Sequence, residues 1–535
     1  MATLLRANPR IILSADKSRV AVDASQVDPR VGSLPGAQTI VSGDKRLYII
    51  PYTVDNFIRA HRLGVPLDAP IRHRYPWAGR FTPMAHQHTT SAFCTLFNKA
   101  FVLNGLGLGK TLSVLWAADF LAREGLLRKT LILSTLSTLT PVWGVEIFQH
   151  FPHRRYHILH GAGKKLVTEP VDFLVMNHDG LRDTDLVSKL MNDETLDLVI
   201  VDECALLRNA RTRRYKMLVK LIERTPRVWM LTATPTPNGP TDAWAQARLV
   251  NPLAVPRYFK DFQTLVMRKE GMYRWSPKPE APAIVHRALQ PAIRFTPEDC
   301  LDLPPITYME RPAPMSEPQI AAYESLRKTL VTEIDGNLIT AANEAVKANK
   351  LLQVACGVLY DGDASYTIQA NGKVAVLLEL VEESDGPVIV FAPFKLVVDQ
   401  LLASLRKHKF AAEKIDGATP RGARDRIFRQ FQAGELDVIV AHPQTVSHGL
   451  TLTRSATMIW FAPVWSNDIY EQAVGRIYRK GQQKHVNIFH LHSCPVELEM
   501  YQRLRGKQAL QGLLLKMFSS DLDKIAALRI ITNVH

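Results

Sequence analysis

Cysteine is scarce in this chain and never paired. Cys94, Cys204, Cys300, Cys356 and Cys494 are the only five among 535 residues, and none forms a Cys-x-x-Cys motif. That spacing argues against a zinc centre and against a disulfide framework, and it fits a reducing compartment. Long apolar runs are absent too, so no segment reads as a membrane span. The opening Met1-Ala-Thr-Leu-Leu-Arg6 leads into charged residues and lacks the apolar stretch of a signal peptide. We therefore expect a cytoplasmic protein with no membrane partner. No low-complexity tract is present, and no Asp/Glu/His cluster suggests a fused nuclease. Acidic excess is also lacking: 66 Lys and Arg face 51 Asp and Glu, for a net charge of +15. A surplus of that size points to a polyanionic partner, nucleic acid first.

The most informative stretch is Phe101-Val-Leu-Asn-Gly-Leu-Gly-Leu-Gly109-Lys110-Thr111. A short apolar run suits a buried strand. Gly105, Gly107 and Gly109 let a loop wrap around phosphates with its N–H groups turned inward. Lys110 can reach the β- and γ-phosphates, and the Thr111 hydroxyl can hold Mg²⁺. Residues 112–123 are periodic and helical, so the helix N-terminus adds to the anion site. Asn104 stands where the P-loop pattern has its first glycine and is expected, with Gly105, Gly107 and Gly109, to face the nucleotide.

The chain reads as an α/β protein of several domains. Residues 1–75 carry β-like runs broken by Pro and Gly, and are expected to form a small α/β accessory domain. Residues 76–255 alternate apolar strands with amphipathic helices: 101–103, 131–133, 173–176, 198–201 and 228–231 are the strand candidates. Runs apolar on both sides imply a parallel sheet covered on both faces. Residues 376–500 repeat the pattern, with strands at 388–391, 438–440, 458–461 and 486–491. Residues 256–375 are expected as a linker and helical insertion, and 501–535 as a helical tail.

Leu198-Val-Ile-Val-Asp202-Glu203 is a strand ending in two acids. Downstream of a P-loop, Asp202 suits the metal and Glu203 the attacking water. Leu231-Thr-Ala-Thr-Pro235 places Thr232 and Thr234 in a turn after another strand, where hydroxyls can bond the acidic strand end. In Gln472-Ala-Val-Gly-Arg476-Ile-Tyr-Arg479, a helix would put Gln472, Arg476 and Arg479 on one face. Two arginines there can stabilise charge on a γ-phosphoryl group.

These motifs, together with Ser447-His-Gly-Leu-Thr-Leu452, stand in the order of superfamily 2 helicases. The chain most resembles the SNF2 branch of double-stranded DNA translocases. The Gly481-Gln482 ending, Leu136-Ser-Thr-Leu-Thr-Pro-Val-Trp143, Ile415-Asp-Gly-Ala-Thr419 with Arg424, and Pro463-Val-Trp-Ser-Asn467 carry that likeness. Thr236-Pro-Asn-Gly-Pro240 with Asp242-Ala-Trp-Ala-Gln246, and the compact length, resemble bacteriophage members. The resemblance implies two RecA-like lobes, ATP and Mg²⁺ as cofactors, and closure of a cleft between the lobes by ATP. It assigns Gln87 to adenine, Lys110 and Thr111 to phosphate and Mg²⁺, Asp202 and Glu203 to metal and water. Arg476 and Arg479 become arginine fingers with Gln472 beside them, and Gly449 lies where the family couples DNA to ATP. Ser134 and Thr135 fall where the family meets DNA phosphates.

Three departures accompany the likeness. Asn104-Gly-Leu replaces an Asp-Glu-Met; the acidic box is Asp-Glu-Cys-Ala, so Ala205 replaces a histidine; and Thr-Ala-Thr replaces Thr-Gly-Thr. Arg211 and Arg214, in the basic run 207–216, are further DNA candidates. His178 reads as an incidental loop residue and Trp465 as core or interlobe packing. Leu34-Pro-Gly-Ala37 and Leu47-Tyr-Ile-Ile-Pro51 resemble the accessory domain of annealing helicases, which implies branched-DNA recognition. The expected activity is DNA-stimulated ATP hydrolysis driving translocation on, and remodelling of, duplex or branched DNA. The alternatives are a strand-separating DNA or RNA helicase and a catalytically weak DNA-binding module. We expect a monomer in isolation, with replication or recombination proteins as further partners, in the host cytoplasm if phage-encoded.

Overall fold

Short apolar runs become strands because a run apolar on both sides needs both faces of its sheet covered. The computed structural model describes residues 11–506 apart from 78, 271–274, 330, 335–336, 341–343, 363 and 447–451. The described residues fall into two units, the first ending at Thr296 and the second beginning at Pro297.

The first unit opens with an antiparallel sheet of β1 (Ile11–Leu13), β2 (Arg19–Asp23), β3 (Gln38–Ser42) and β4 (Lys45–Pro51), in the order β1-β2-β4-β3. Alternation in β2 and β4 turns Val20, Val22, Tyr48 and Ile50 inward. These side chains share one apolar core with Phe57, Ile71 and Tyr75 and with Val114, Ala117 and Phe120 of the helix Lys110–Arg123. The N-terminal residues therefore do not fold around a core of their own. The Tyr75 hydroxyl also donates to the buried Asp119 at 2.7 Å. Arg123, His153 and Arg154 meet the same carboxylate at 2.7–2.9 Å. Burial pushes the Asp119 carboxyl up, but these donors outweigh it and hold it below the usual range.

A parallel sheet follows, built from β5 (Lys99–Val102), β6 (Lys129–Ser134), β7 (Tyr156–Ile158), β8 (Phe173–Asn177), β9 (Leu196–Val201) and β10 (Arg227–Leu231). After a hairpin of β11 (Met267–Lys269) and β12 (Trp275–Pro277), β13 (Ala292–Ile293) joins its edge. The order is β13-β5-β10-β9-β6-β8-β7. Successive residues feed opposite faces: Ala100 and Val102 enter the core shared with the N-terminal sheet, Phe101 and Leu103 the core on the other side.

The second unit begins with β14 (Ile306–Pro312). Two hairpins, β15 (Val331–Ile334) with β16 (Asn337–Thr340) and β17 (Val358–Asp361) with β18 (Ala364–Thr367), alternate with the helices Glu317–Thr329 and Glu344–Ala355. The remaining strands are β19 (Val388–Phe391), β20 (Ala412–Ile415), β21 (Val438–Ala441), β22 (Thr457–Trp460) and β23 (Val486–His492). They form a second parallel sheet, β14-β23-β22-β19-β21-β20. The segment expected as a helical insertion thus also supplies an edge strand to each parallel sheet. β13 is too short to show a period, and the mixed polarity of β14 marks it as an edge strand rather than a buried run. Among the described residues, no helix is long and apolar enough to cross a membrane.

Candidate functional site

All strands of the first sheet run the same way, so their carboxyl ends line one edge, the usual place for ligands in open α/β sheets. β5, β10, β9 and β6 are successive neighbours. The glycine-rich loop, the Thr232–Thr234 turn, Asp202–Glu203 and Ser134–Thr135 therefore stand side by side in that order.

Gly107 (φ 77°) and Gly109 (φ 69°) adopt the left-handed conformation that a Cβ disfavours. Gly109 caps the helix Lys110–Arg123, and a Cβ on it would collide with the Gln87 side-chain nitrogen. Lys110 Nζ donates to the carbonyls of Asn104 (2.9 Å) and Gly105 (3.1 Å), and Thr111 is half-buried in the first turn. The amide of Gln87 is engaged locally: its Oε1 accepts from the Met84 N–H at 2.9 Å, and its Nε2 donates to the Leu108 carbonyl at 3.4 Å. His86 donates to the same carbonyl at 3.0 Å.

Two loop residues act differently from expectation. The Gly105 N–H donates to the Phe295 carbonyl at 2.8 Å, so it is not turned toward a phosphate. Asn104 is fully buried; its side chain donates to Thr90 Oγ1 at 2.8 Å and accepts from the Phe295 N–H at 3.0 Å. It anchors the loop to the helix Ala85–Leu96 and to the segment after β13 instead of facing a nucleotide.

Asp202 keeps its main chain paired to β6 through the Leu133 carbonyl. Its Oδ1 accepts from the Glu203 N–H (3.0 Å), and its Oδ2 from Ser134 Oγ (2.8 Å) and Trp143 Nε1 (3.1 Å). His178 Nε2 donates to the Asp202 carbonyl at 2.9 Å. Burial pushes the His178 imidazole down to about 4, so it is neutral near pH 7. Glu203 itself is left-handed, at φ 49° and ψ 48°. Burial raises the neighbouring Cys204 thiol, Glu203 and Asp202 add to the rise, and the Lys110 charge opposes it. The P-loop cation and the acids thus act electrostatically on one spot.

Several expected contacts are corrected by burial. Ser134 has no solvent exposure and bonds Asp202, Thr138 and Trp143, so its hydroxyl serves the acid and not a DNA phosphate. Thr135, next along, is half-buried. Thr232 and Thr234 are buried, and the Thr234 N–H donates to Thr232 Oγ1 at 3.1 Å. His178 is a buried support of the acidic strand end, not an incidental loop residue. Arg214 is ion-paired with Asp179 at 3.6 Å, whereas Arg211 is exposed.

In the second unit, Ser466 caps the helix Asn467–Ile477. Gln472 is buried and donates to Asp468 at 3.2 Å. The helix stops before Arg479, so Arg479 does not share a helical face with Gln472 and Arg476. The stop has a tertiary cause: the Leu452 N–H takes the Arg476 carbonyl (2.9 Å), and Gln482 Nε2 takes that of Ile477 (3.2 Å). Burial lowers the Arg479 guanidinium from its usual value, though it remains charged. Trp465 is 49% exposed and not a packing residue of its unit. Gly449 lies outside the described residues.

Sequence reasoning missed the roles of Trp143, Arg294 and Gln246. Trp143 stood in a quoted motif, but nothing tied it to Asp202. Arg294 donates to the carbonyls of Leu103 and Ala233, joining the ends of β5 and β10. Gln246 bonds Cys204 and the Pro235 carbonyl. Arg294 has no local signal, and Gln246 stood in the motif that begins at Asp242, with nothing to tie it to Cys204.

Two family models match the chain: the SNF2-related domain over residues 97–356 and the Helicase conserved C-terminal domain over residues 372–481. Protein p41 of Acyrthosiphon pisum secondary endosymbiont phage 1 is 28% identical over 82% of this chain and 98% of its own length. The SWI/SNF-related matrix-associated actin-dependent regulator of chromatin subfamily A-like protein 1 of Xenopus laevis is 26% identical over 74% of this chain. Our chain spans only 40% of that relative's length. The Sulfolobus solfataricus SWI2/SNF2 ATPase core, solved in complex with dsDNA, aligns at 21% identity over 86% of this chain and 99% of its own, with a TM-score of 0.39. With the SNF2-related and C-terminal helicase models matched in succession, the chain belongs to the SNF2-type branch of superfamily 2, a family of ATP-hydrolysing, helicase-like enzymes.

Proposed function

We propose that the chain is a DNA-dependent ATPase that couples hydrolysis to translocation on, and remodelling of, duplex or branched DNA. The observation that carries this reading is the side-by-side placement of the P-loop, the Thr232–Thr234 turn and Asp202–Glu203 on the neighbouring strands β5, β10 and β9. Residues distant in sequence are gathered where phosphate, metal and water must meet.

In this reading the left-handed turn at Gly107 and Gly109, where a Cβ on Gly109 would strike the Gln87 amide, cradles the phosphates. Lys110 leaves the loop carbonyls for the β- and γ-phosphates, and Gln87 releases its local bonds to read adenine. Thr111 and Asp202 fit Mg²⁺, a hydroxyl and a carboxylate being suitable hard oxygen donors. Mg²⁺ bound there supplies charge neutralisation on the phosphates. Ser134 and Trp143 orient the Asp202 carboxylate, and Glu203 orients and deprotonates the attacking water. Arg476 and Arg479, together with Gln472, are the groups we assign to the γ-phosphate during turnover. DNA binding is supported by the net charge of +15 and by the exposed Arg211. Recognition of branched DNA is assigned to the N-terminal sheet.

The test is the ATPase rate of purified protein alone and with single-stranded, duplex and forked DNA and structured RNA, beside a triplex-displacement assay. Stimulation by duplex or forked DNA with triplex displacement is expected. Stimulation only by single strands or RNA would favour a strand-separating helicase, and no turnover a binding module.

A further inference from the structure

The acidic turn has to hold two carboxylates in place while the chain reverses through a left-handed glutamate into the short 3-10 turn Cys204–Leu207. No glycine eases that reversal, and the Ala205 methyl offers no hydrogen bond. Besides the bonds that Ser134, Trp143 and His178 make to Asp202, one bond reaches this turn from far along the chain. Cys204 is fully buried, and its thiol donates to Gln246 Oε1 at 3.4 Å. Gln246 lies on the helix Ala243–Val250 and has no solvent exposure. Its Nε2 donates to the Pro235 carbonyl at 2.6 Å and to the Asp242 carbonyl at 2.9 Å.

One carboxamide therefore spans three places: the turn after β9 that carries Glu203, the turn after β10 that follows Thr232 and Thr234, and the start of its own helix. Oxygen and nitrogen are both used. Packing does not demand an amide here, since Ala243, Ala245, Ala247 and Leu249 of the same helix lie in the apolar core. A buried amide is costly unless bonded, and these bonds all lead to the two turns of the ATPase site or to the helix that holds them.

We propose that Gln246 is a positioning residue for ATP hydrolysis, an inference that rests on the ATPase reading above. Its carboxamide joins the Glu203 turn to the Thr232–Thr234 turn, so that displacement of one displaces the other. Gln246 touches neither nucleotide nor metal; it acts through Cys204 and Pro235. Small misplacements of a catalytic group can cost about a hundredfold in rate, so the link should be felt in kcat and not in nucleotide affinity.

The experiment compares wild type with Gln246→Leu, Cys204→Ala, Cys204→Ser and the double variant Cys204→Ala/Gln246→Leu in the full chain. It reads steady-state ATPase with stimulating DNA, binding of a fluorescent ADP analogue, and thermal unfolding. For Gln246→Leu we expect kcat to fall at least about tenfold, with KM and ADP affinity within about twofold. Cys204→Ala should lower kcat about threefold, as loss of one weak hydrogen bond would, and Cys204→Ser, which keeps a donor, should restore it. The double variant should regain part of the lost stability, because both partners are then apolar, while kcat stays as low as in Gln246→Leu. A double variant whose turnover returns with its stability would overturn the proposal, as would a Gln246→Leu protein that turns over like wild type. Should Gln246→Leu fail to fold, equal kcat values for Cys204→Ala and Cys204→Ser would overturn it. Absence of turnover in wild type is a separate result that removes the ATPase reading and this inference together.

Discussion

The turn after β5 and the turn after β9 solve the same geometrical problem with different residues. Each carries the chain off the end of a parallel strand through a left-handed residue: Gly109 at φ 69° and Glu203 at φ 49°. At Gly109 the conformation is cheap, and the missing Cβ leaves room for Gln87. At Glu203 it costs on the order of 1–2 kcal/mol, and neighbours hold it: the Glu203 N–H bonds its own predecessor, while Ser134, Trp143 and His178 hold Asp202. Where the backbone itself is the binding surface, glycine suffices. Where a side chain must stand at the turn, strain is accepted and the surroundings enforce it.

The sharpest way to break this comparison is Glu203→Gln. It keeps the shape and removes the base, so kcat should fall about 10²- to 10⁴-fold with ADP binding retained. Near-normal turnover would mean that the strained turn carries no catalytic base.

The next effect is on stability against pH. His178 has a value of about 4 in the fold against 6.5 for the free side chain, because of burial. Between these the unfolded chain binds a proton that the folded chain refuses. The stabilisation is whole above about pH 6.5 and is lost as the pH falls toward 4, by up to about 3 kcal/mol. His178→Gln can still donate to the Asp202 carbonyl and should flatten this dependence in urea unfolding at pH 5 and 7. An unchanged slope would remove His178 from the account.

Gly109→Ala should cost about 1–2 kcal/mol of stability from the left-handed backbone and also weaken ADP binding by displacing Gln87. Binding titration and thermal unfolding of the one variant measure both. Ser134→Ala should cost about 1 kcal/mol and lower kcat by leaving Asp202 Oδ2 to Trp143 alone. If it lowers only DNA affinity, the hydroxyl is a DNA contact after all. The smallest effect has the opposite sign: Glu203→Gly should raise the unfolding free energy by about 0.5–1 kcal/mol while abolishing turnover. A destabilised Glu203→Gly would show that the left-handed glutamate carries no strain.

Much of the fold was legible because its signals are local. The runs at 388–391, 173–176 and 228–231 are strands within a residue of their expected limits, since each is apolar on both faces. The P-loop was legible for the same kind of reason, glycine being readable wherever the backbone must turn left-handed. What escaped depends on partners distant in the chain. Ser134 sits at a strand end that looks exposed in sequence, yet Asp202 and Trp143 close over it. Arg479 leaves the expected helix because Leu452 and Gln482 take the carbonyls that would have continued it. Asn104 was read as facing a nucleotide, but Thr90 and Phe295 claim its side chain.

The sequence by itself determined the alternation of strands and helices, the two parallel sheets, the glycine loop and the pair of acids at a strand end. Each follows from apolar burial or backbone freedom over a few consecutive residues. Tertiary structure alone decided which polar atoms meet: that Gln246 reaches Cys204 and Pro235, that Arg294 ties β5 to β10, and that His178 sits neutral beneath Asp202. A buried polar atom must find a partner wherever the fold brings one, and no local pattern in the chain records which it will be.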